Sequence, residues 1–282
     1  MDDKVTHVPL SELHPFPGHP FQLRDDDAMR DTVDSIKEYG VLVPAIVRPC
    51  EDGGYEIVSG HRRKYASELA GLETMPVIVR NLDRDAATIV MVDSNLQREN
   101  ILPSERAAAY KMKLDAIKRQ GARNDLTSAQ VVPKLTAREK VAEDAGVNRM
   151  EVSRYVRLTE LEPELQQMVD EKKIGITPAV EISYLKPEEQ KLLLDTIEYE
   201  QATPSLSQAQ RMKKLSQSGE LNDDTMLGIM MEQKKPEKMD ITIPGEVLQK
   251  YFPRSYTPQR MQETIIKLLE GWQKKRQQQM QR

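Results

Sequence analysis

The sequence has one cysteine, Cys50, and only four histidines among 282 residues. An internal disulfide and a cysteine-rich zinc site are both excluded. Aromatic residues make up only 5% of the chain, with one Trp and three Phe, which argues against a large aromatic-lined ligand cavity. No apolar run approaches the roughly 20 residues needed to cross a bilayer. The start, Met1-Asp2-Asp3-Lys4, lacks the basic-then-apolar pattern of a secretory signal. A cytoplasmic protein without membrane contact is therefore expected. An excess of positive charge is missing too, since the formal net charge is −4.

That net charge is unevenly spread. Between Ile101 and Glu160 there are 12 Lys/Arg against 8 Asp/Glu, a local +4 that leaves −8 for the rest. Phosphate binding responds to local potential, so a basic middle in an acidic chain is compatible with DNA binding. A length of 282 residues is too great for one compact core and fits two or three modest domains.

Residues 1–95 alternate between β- and α-type patterns. Val5–Leu10 reads as a strand ending in the turn His14-Pro15-Phe16-Pro17-Gly18. Asp27–Tyr39 has Met29, Val33 and Ile36 at helical spacing, with Gly40 just past its end. Val41–Arg48 and Gly54–Ser59 are β-rich runs around the hairpin signal Glu51-Asp52-Gly53-Gly54. A helix over Gly60–Ala70, a strand over Met75–Val79 and a helix from Arg84 to about Ser94 complete this part. From Pro103 the pattern becomes helical, with a polar loop expected over Gln120–Pro133. Helices follow at 137–145, 149–158, 163–172, 178–185, 187–200 and about 205–217. Residues 218–239 read as a linker holding one short helix. A strand at 240–243 and helices at 245–252 and 258–280 form a last small unit. On the final helix Met261, Ile265, Leu268, Leu269 and Trp272 share one face, a pattern for packing or for dimerisation.

Residues 138–157, REKVAEDAGVNRMEVSRYVR, satisfy the demands of a helix-turn-helix. Ala142 permits close approach of the two helices, and Gly146 supplies the tight turn. Val141, Ala145, Val147, Val152 and Tyr155 or Val156 provide a shared core, and Asn148 can cap the second helix. That helix presents Arg149, Met150, Ser153, Arg154 and Arg157 outward, and its N-terminal residues are the ones that reach base edges in the major groove. Arg149, Ser153 and Arg154 are the groove candidates, because arginine bonds guanine bidentately and serine meets either bases or phosphates. Lys140 and Arg157 are candidates for the DNA backbone.

Two smaller clusters point to anions. Ser59-Gly60-His61-Arg62-Arg63 lies where a strand passes into a helix, whose first N–H groups and dipole attract phosphate. Two adjacent arginines add charge-assisted contacts. The second cluster, Asp93 to Asn100, offers Asn95 for a metal or ribose oxygen and Arg98 for a further phosphate; alone, it is no more than a polar helix end.

Together these residues resemble the ParB partition-protein family. The motifs run in order: SIKEYGVLVPAIVR at 35–48, YEIVSGHRRKYASELAGLETMPVIVR at 55–80, NLQRENILPSERAAAY at 95–110, then the helix-turn-helix. The resemblance covers roughly residues 5–200. It implies an α+β ParB/sulfiredoxin-like N-terminal domain (1–100), an all-α helix-turn-helix domain (101–217) and a small, mostly helical C-terminal unit (240–282) for dimerisation. It also implies CTP with Mg²⁺ between the first two domains, closing a homodimeric clamp on a centromere-like, palindromic DNA site. A nucleoid-associated location and a ParA-type ATPase partner are implied as well. Gly60, Arg62 and Arg63, with Ser59 and His61 beside them, match the family's phosphate-binding turn; Asn95 and Arg98 match its second nucleotide motif, with Asn95 near the metal.

Two positions depart from the family. His61 stands where Glu is most common, and Ser94 where Glu commonly precedes the asparagine. The second change removes a carboxylate that would orient water or Mg²⁺, which puts CTP hydrolysis in doubt. A plain helix-turn-helix regulator without a nucleotide switch is the competing expectation. Sulfiredoxin chemistry is disfavoured because Gly60 occupies the place of its cysteine, and no Asp/Glu/His set suggests a two-metal nuclease.

Overall fold

The computed structural model describes residues 4–50, 53–97, 101–125, 135–232, 245–248, 250–253 and 255–280. Two compact units are present, Met1–Glu232 and Gln233–Arg282.

The first unit begins with a five-stranded mixed sheet in the order β1-β5-β3-β4-β2. Its strands are β1 (Val5–Pro9), β2 (Leu13–His14), β3 (Ala45–Pro49), β4 (Tyr55–Ser59) and β5 (Thr74–Val79). Both β1–β5 and β3–β4 are antiparallel, whereas β3–β5 and β2–β4 are parallel. Strand alternation sends Val47 and Ile57 to a core with Val8, Leu13, Met75 and Val77. Val58 faces the other way, toward Phe16, Phe21 and Met91.

Helix α1 (Asp27–Tyr39) buries the expected Met29, Val33 and Ile36. Asp26 caps its start by accepting from the Met29 N–H, and Gly40 ends it at a φ of 70°. β3 is shorter than the apolar run 41–48 suggested and starts only at Ala45. Pro44 explains this: it has no N–H to give a neighbouring strand. Helix α2 (His61–Leu69) follows β4 directly, and α3 (Arg84–Leu96), capped by Asp83, closes the mixed part.

Helix α4 (Pro103–Asp125) continues into the stretch expected as loop, past Gly121, and residues 126–134 lie outside the described ones. Helices α5 (Ala137–Ala145) and α6 (Arg149–Leu158) have the expected bounds. α7 (Pro163–Asp170) stops two residues early, close to Lys172, which adopts a φ of 60°. α8 (Ile176–Ile182) starts two residues early, because its first turn tolerates Pro178. α9 (Pro187–Glu200) and α10 (Leu206–Ser218) agree with expectation to within a residue.

Helix α11 (Asp223–Met231) is the one short helix expected within residues 218–239. It buries Met226, Ile229 and Met230 in the same core as Leu165, Ile182, Leu193 and Met212. The first unit therefore extends to Glu232. The short helix was expected; its packing into this core was not.

In the second unit, α12 (Gly245–Leu248) is shorter than expected, and α13 spans Pro258–Met280 as expected. The strand expected at 240–243 and the linker residues 233–239 lie outside the described residues. Leu268, Leu269 and Trp272 of α13 are exposed. Among the described residues no helix is long and apolar enough to cross a membrane.

Candidate nucleotide turn and nucleic-acid interface

At the β4–α2 junction the chain turns through Gly60, which has a φ of 117°. A Cβ there would lie 2.8 Å from the Ala45 Cβ and 3.3 Å from the Ala45 Cα. The glycine is therefore demanded by the neighbouring strand β3 and by its left-handed backbone. Beyond it, the first amides of α2 lack intrahelical acceptors and offer an anion site.

The side chains around this turn differ in availability. Arg62 is half-buried and makes only a loose ion pair, 3.6 Å from Asp26. Arg63 is turned inward, where Nη1 donates to the carbonyls of Val43 (2.6 Å) and Pro44 (2.8 Å). Burial lowers its pKa from the usual arginine value. It also lines a groove of about 360 Å³ with Thr32, Ser35 and the 40–43 segment. His61 Nε2 accepts from the Phe16 N–H at 3.3 Å, and its ring centroid lies 4.0 Å from that of His19. Burial, followed by the neighbouring His19 and Lys64, pushes its pKa down to about 3. His61 is thus neutral near pH 7 and acts as a structural acceptor. Ser59 ends β4 half-buried.

Asn95 lies at the end of α3, with its Nδ2 donating to the Met91 carbonyl at 2.8 Å. The cation-binding atom of such a side chain is the amide oxygen. A neutral amide oxygen can supply one Mg²⁺ ligand beside waters and a nucleotide's phosphates, whereas such sites usually add one or two carboxylates, and among the described residues no group of three His, Cys, Asp or Glu is placed to hold a metal. Ser94 Oγ also donates to Met91, at 2.9 Å. Asp93, beside Ser94, contacts Lys113. Arg98 lies outside the described residues.

The helix-turn-helix forms as its residues require. Thr136 and Glu139 make a reciprocal capping box at the start of α5. Gly146 ends α5 with a φ of 65°, and Asn148 caps α6 by accepting from the Met150 N–H. Val141, Ala142 and Val152 are buried against Tyr110 and Leu114 of α4. Tyr155 packs edge-on to Tyr110 at 5.9 Å and lies under Arg106.

Outward from this core, Lys140, Arg149, Met150 and Arg154 are exposed. Arg149 reaches Glu139 at 3.4 Å, a surface pair that DNA phosphate or a base edge can displace. Ser153 donates to the Arg149 carbonyl at 3.1 Å and keeps its lone pairs as acceptors. Arg157, a sequence candidate for the DNA backbone, is engaged within the protein. Its Nε and Nη2 donate to the side chain and carbonyl of Ser183 at 3.0 and 2.5 Å, and its guanidinium stacks 4.1 Å over Tyr184. Sequence periodicity placed it on the outer face of α6 but could not reveal that α8 ends against that face.

Two residues take roles that the sequence reading did not give them. Glu105, at the start of α4, accepts from the backbone N–H groups of Gln22 and Leu102 and thereby ties α4 to the N-terminal part. Lys113 is completely buried and contacts Asp93 and Asp144. A lysine among Tyr110, Leu114 and Ile117 on the apolar stripe of α4 was the available signal.

Comparison with known proteins agrees with this layout. A family model described as the ParB N-terminal domain matches residues 1–96, and one described as the ParB HTH domain matches residues 126–220. The chromosome-partitioning protein Spo0J of Thermus thermophilus is 34% identical over 186 residues, which is 66% of this chain and 62% of that protein. The C-terminally truncated ParB of Caulobacter crescentus, solved with the centromeric parS site, is 25% identical and has a TM-score of 0.45; 74% of this chain and 98% of that one are covered. The same protein solved with CTP-gamma-S is 28% identical with a TM-score of 0.32, covering 67% and 96%. The chain spans less than two thirds of the length of the curated relatives it matches. With both domains matched in this order, the second enclosing the helix-turn-helix, the chain belongs to the ParB family.

Proposed function

We propose that this chain is a partition protein that reads a specific, palindromic DNA site through α5 and α6 and is switched by CTP with Mg²⁺. The observation that carries the reading is the α5–Gly146–α6 unit, with its core closed and Arg149, Met150 and Arg154 presented outward. Arg149, Ser153 and Arg154 read bases, while Lys140 neutralises phosphate and Asn148 holds the helix start that faces the groove.

The nucleotide's triphosphate is held by the amides after Gly60 together with Arg62, and the Asn95 oxygen takes the metal. Arg63 shapes this turn from within through the Val43 and Pro44 carbonyls. Arg98 completes the second motif. CTP, when bound, would bring a triphosphate for the α2 amides and Arg62 and a metal for the Asn95 oxygen. Ser94 lacks the carboxylate that would orient water at this position, so binding without efficient hydrolysis is expected. The exposed apolar residues of α13 support dimerisation of two chains through the C-terminal unit. The family relation supports a nucleoid-associated role with a ParA-type ATPase.

Titration with CTP, ATP, GTP and UTP in Mg²⁺ tests the switch, with Arg62→Ala as the control. Arg62 suits this better than Arg63, whose removal would also free the 43–44 carbonyls. Selective CTP binding abolished by Arg62→Ala upholds the reading. DNA binding that persists with no nucleotide binding at all would favour the plain helix-turn-helix regulator, a reading consistent with the inward use of Arg63 and the absence of a carboxylate at Ser94.

A further inference from the structure

Lys113 has no exposed side-chain surface, yet it carries a charge that neither the DNA-reading face nor the nucleotide turn uses. Its ammonium lies 2.5 Å from Asp93 Oδ1 on α3 and 2.7 Å from Asp144 Oδ2 on α5. Asp93 is two residues before Asn95, and Asp144 two residues before the turn glycine Gly146. One cation in α4 therefore joins the end of the nucleotide-type helix to the first helix of the DNA-reading unit. Leu96 makes the same connection with apolar contacts. It packs against the core of Met91 and Val92 and also against the core of Val141 and Val152.

The three charged groups differ in their freedom to separate. Asp93 and Asp144 keep 43% and 37% of their side-chain surface exposed, so either can exchange the ammonium for water. Lys113 cannot, because a buried ammonium without a carboxylate is strongly disfavoured. The doubly paired state is thus flanked by two singly paired ones, and withdrawal of one carboxylate strengthens the hold of the other. That gives a discrete element whose equilibrium both ends can bias, which is the physical requirement for coupling.

We propose that Lys113, with Asp93 and Asp144, is an ion-pair strut that transmits occupancy between the nucleotide-binding end of α3 and the helix-turn-helix. The proposal rests on the assignment of those two sites above. In it Lys113 is a positioning residue, touching neither ligand.

The test is hydrogen exchange on the full chain, with a duplex that the protein itself has selected from a randomised pool. In the wild type, DNA binding should slow exchange at the end of α3, residues 91–97, by about fivefold or more. In Lys113→Met the α3 response should vanish while protection of α6 by DNA remains. Asp93→Asn, which keeps the Lys113–Asp144 pair and so the fold, should show the same loss. Full α3 protection in either variant, or none in the wild type, overturns the strut. A second arm adds CTP with Mg²⁺ and follows α5 and α6, which should respond in the wild type and not in Lys113→Met. Failure of the wild type to bind CTP would remove the nucleotide reading alone, since the DNA arm decides the strut without it.

Discussion

Replacing Gly60 with alanine isolates one geometric requirement of the candidate site. An L-residue at a φ of 117° sits outside its allowed regions, at a cost of about 1–3 kcal/mol. The added methyl would also come within 2.8 Å of the Ala45 Cβ and 3.3 Å of its Cα. Ala45 is fully buried in β3, which is paired on both sides, so it cannot retreat cheaply. Overpacking of this kind costs about 1–3 kcal/mol. The total of about 2–6 kcal/mol corresponds to a fall in Tm of roughly 4–24 °C for a unit of this size. Gly228→Ala is the matched control. It lies within α11 with nothing inside 4 Å of an added Cβ and no positive φ, so alanine should stabilise by up to about 1 kcal/mol. Urea and thermal melts of the two variants and the wild type measure the difference. A Gly60→Ala protein that melts within 2 °C of the wild type, on the order of the melting uncertainty, would refute the argument that strand β3 dictates this glycine.

Arg154→Ala and Arg149→Ala should each weaken binding to the selected duplex by about 1–3 kcal/mol and relax base preference, measured by competition against single-base variants. Unchanged preference in both would mean that another face of α6 reads DNA. For His61, the folded pKa of about 3 lies below the unfolded value of about 6.5, so the neutral form favours folding. Its contribution is complete above pH 6.5 and is lost as pH falls toward 3, with a slope of at most about 1.4 kcal/mol per unit. His61→Asn should therefore lose about 1 kcal/mol less than the wild type between pH 7 and 5.5, and equal losses would count against a buried neutral imidazole. Arg157→Lys should destabilise the first unit by about 1–2 kcal/mol, because an ammonium cannot both fork onto Ser183 and stack on Tyr184. A salt-dependence slope for DNA binding that drops by about one unit with no stability change would instead return Arg157 to the phosphate backbone.

The elements most legible in the sequence were those with local punctuation. Helix α1 shows three apolar residues at helical spacing and a stop at Gly40, readable within the run Asp27–Gly40, and the structure adds the cap at Asp26. The helix-turn-helix was equally legible, since its small, apolar and glycine positions are set by the crossing of adjacent helices. Where local and longer-range signals competed, the reading failed. The Lys234-Lys235-Pro236-Glu237-Lys238 end suggested a linker, but the short helix before it packs Met226, Ile229 and Met230 against residues of α9 and α10. At the candidate site, residue types were visible and their directions were not. Arg62 and Arg63 are alike in sequence, yet one reaches a surface aspartate and the other two backbone carbonyls.

Sequence alone determined the order of the motifs, the bounds of the reading helices and the concentration of positive charge in the middle of the chain. These follow from spacing, capping and composition, which act over a few residues. Tertiary structure alone decided that Arg157 is held by Ser183, that Gly60 is required by Ala45, and that Lys113 is buried between Asp93 and Asp144. Each depends on which distant element arrives at a given helix face, and the free energy of desolvating a charge or seating a methyl is set by those neighbours.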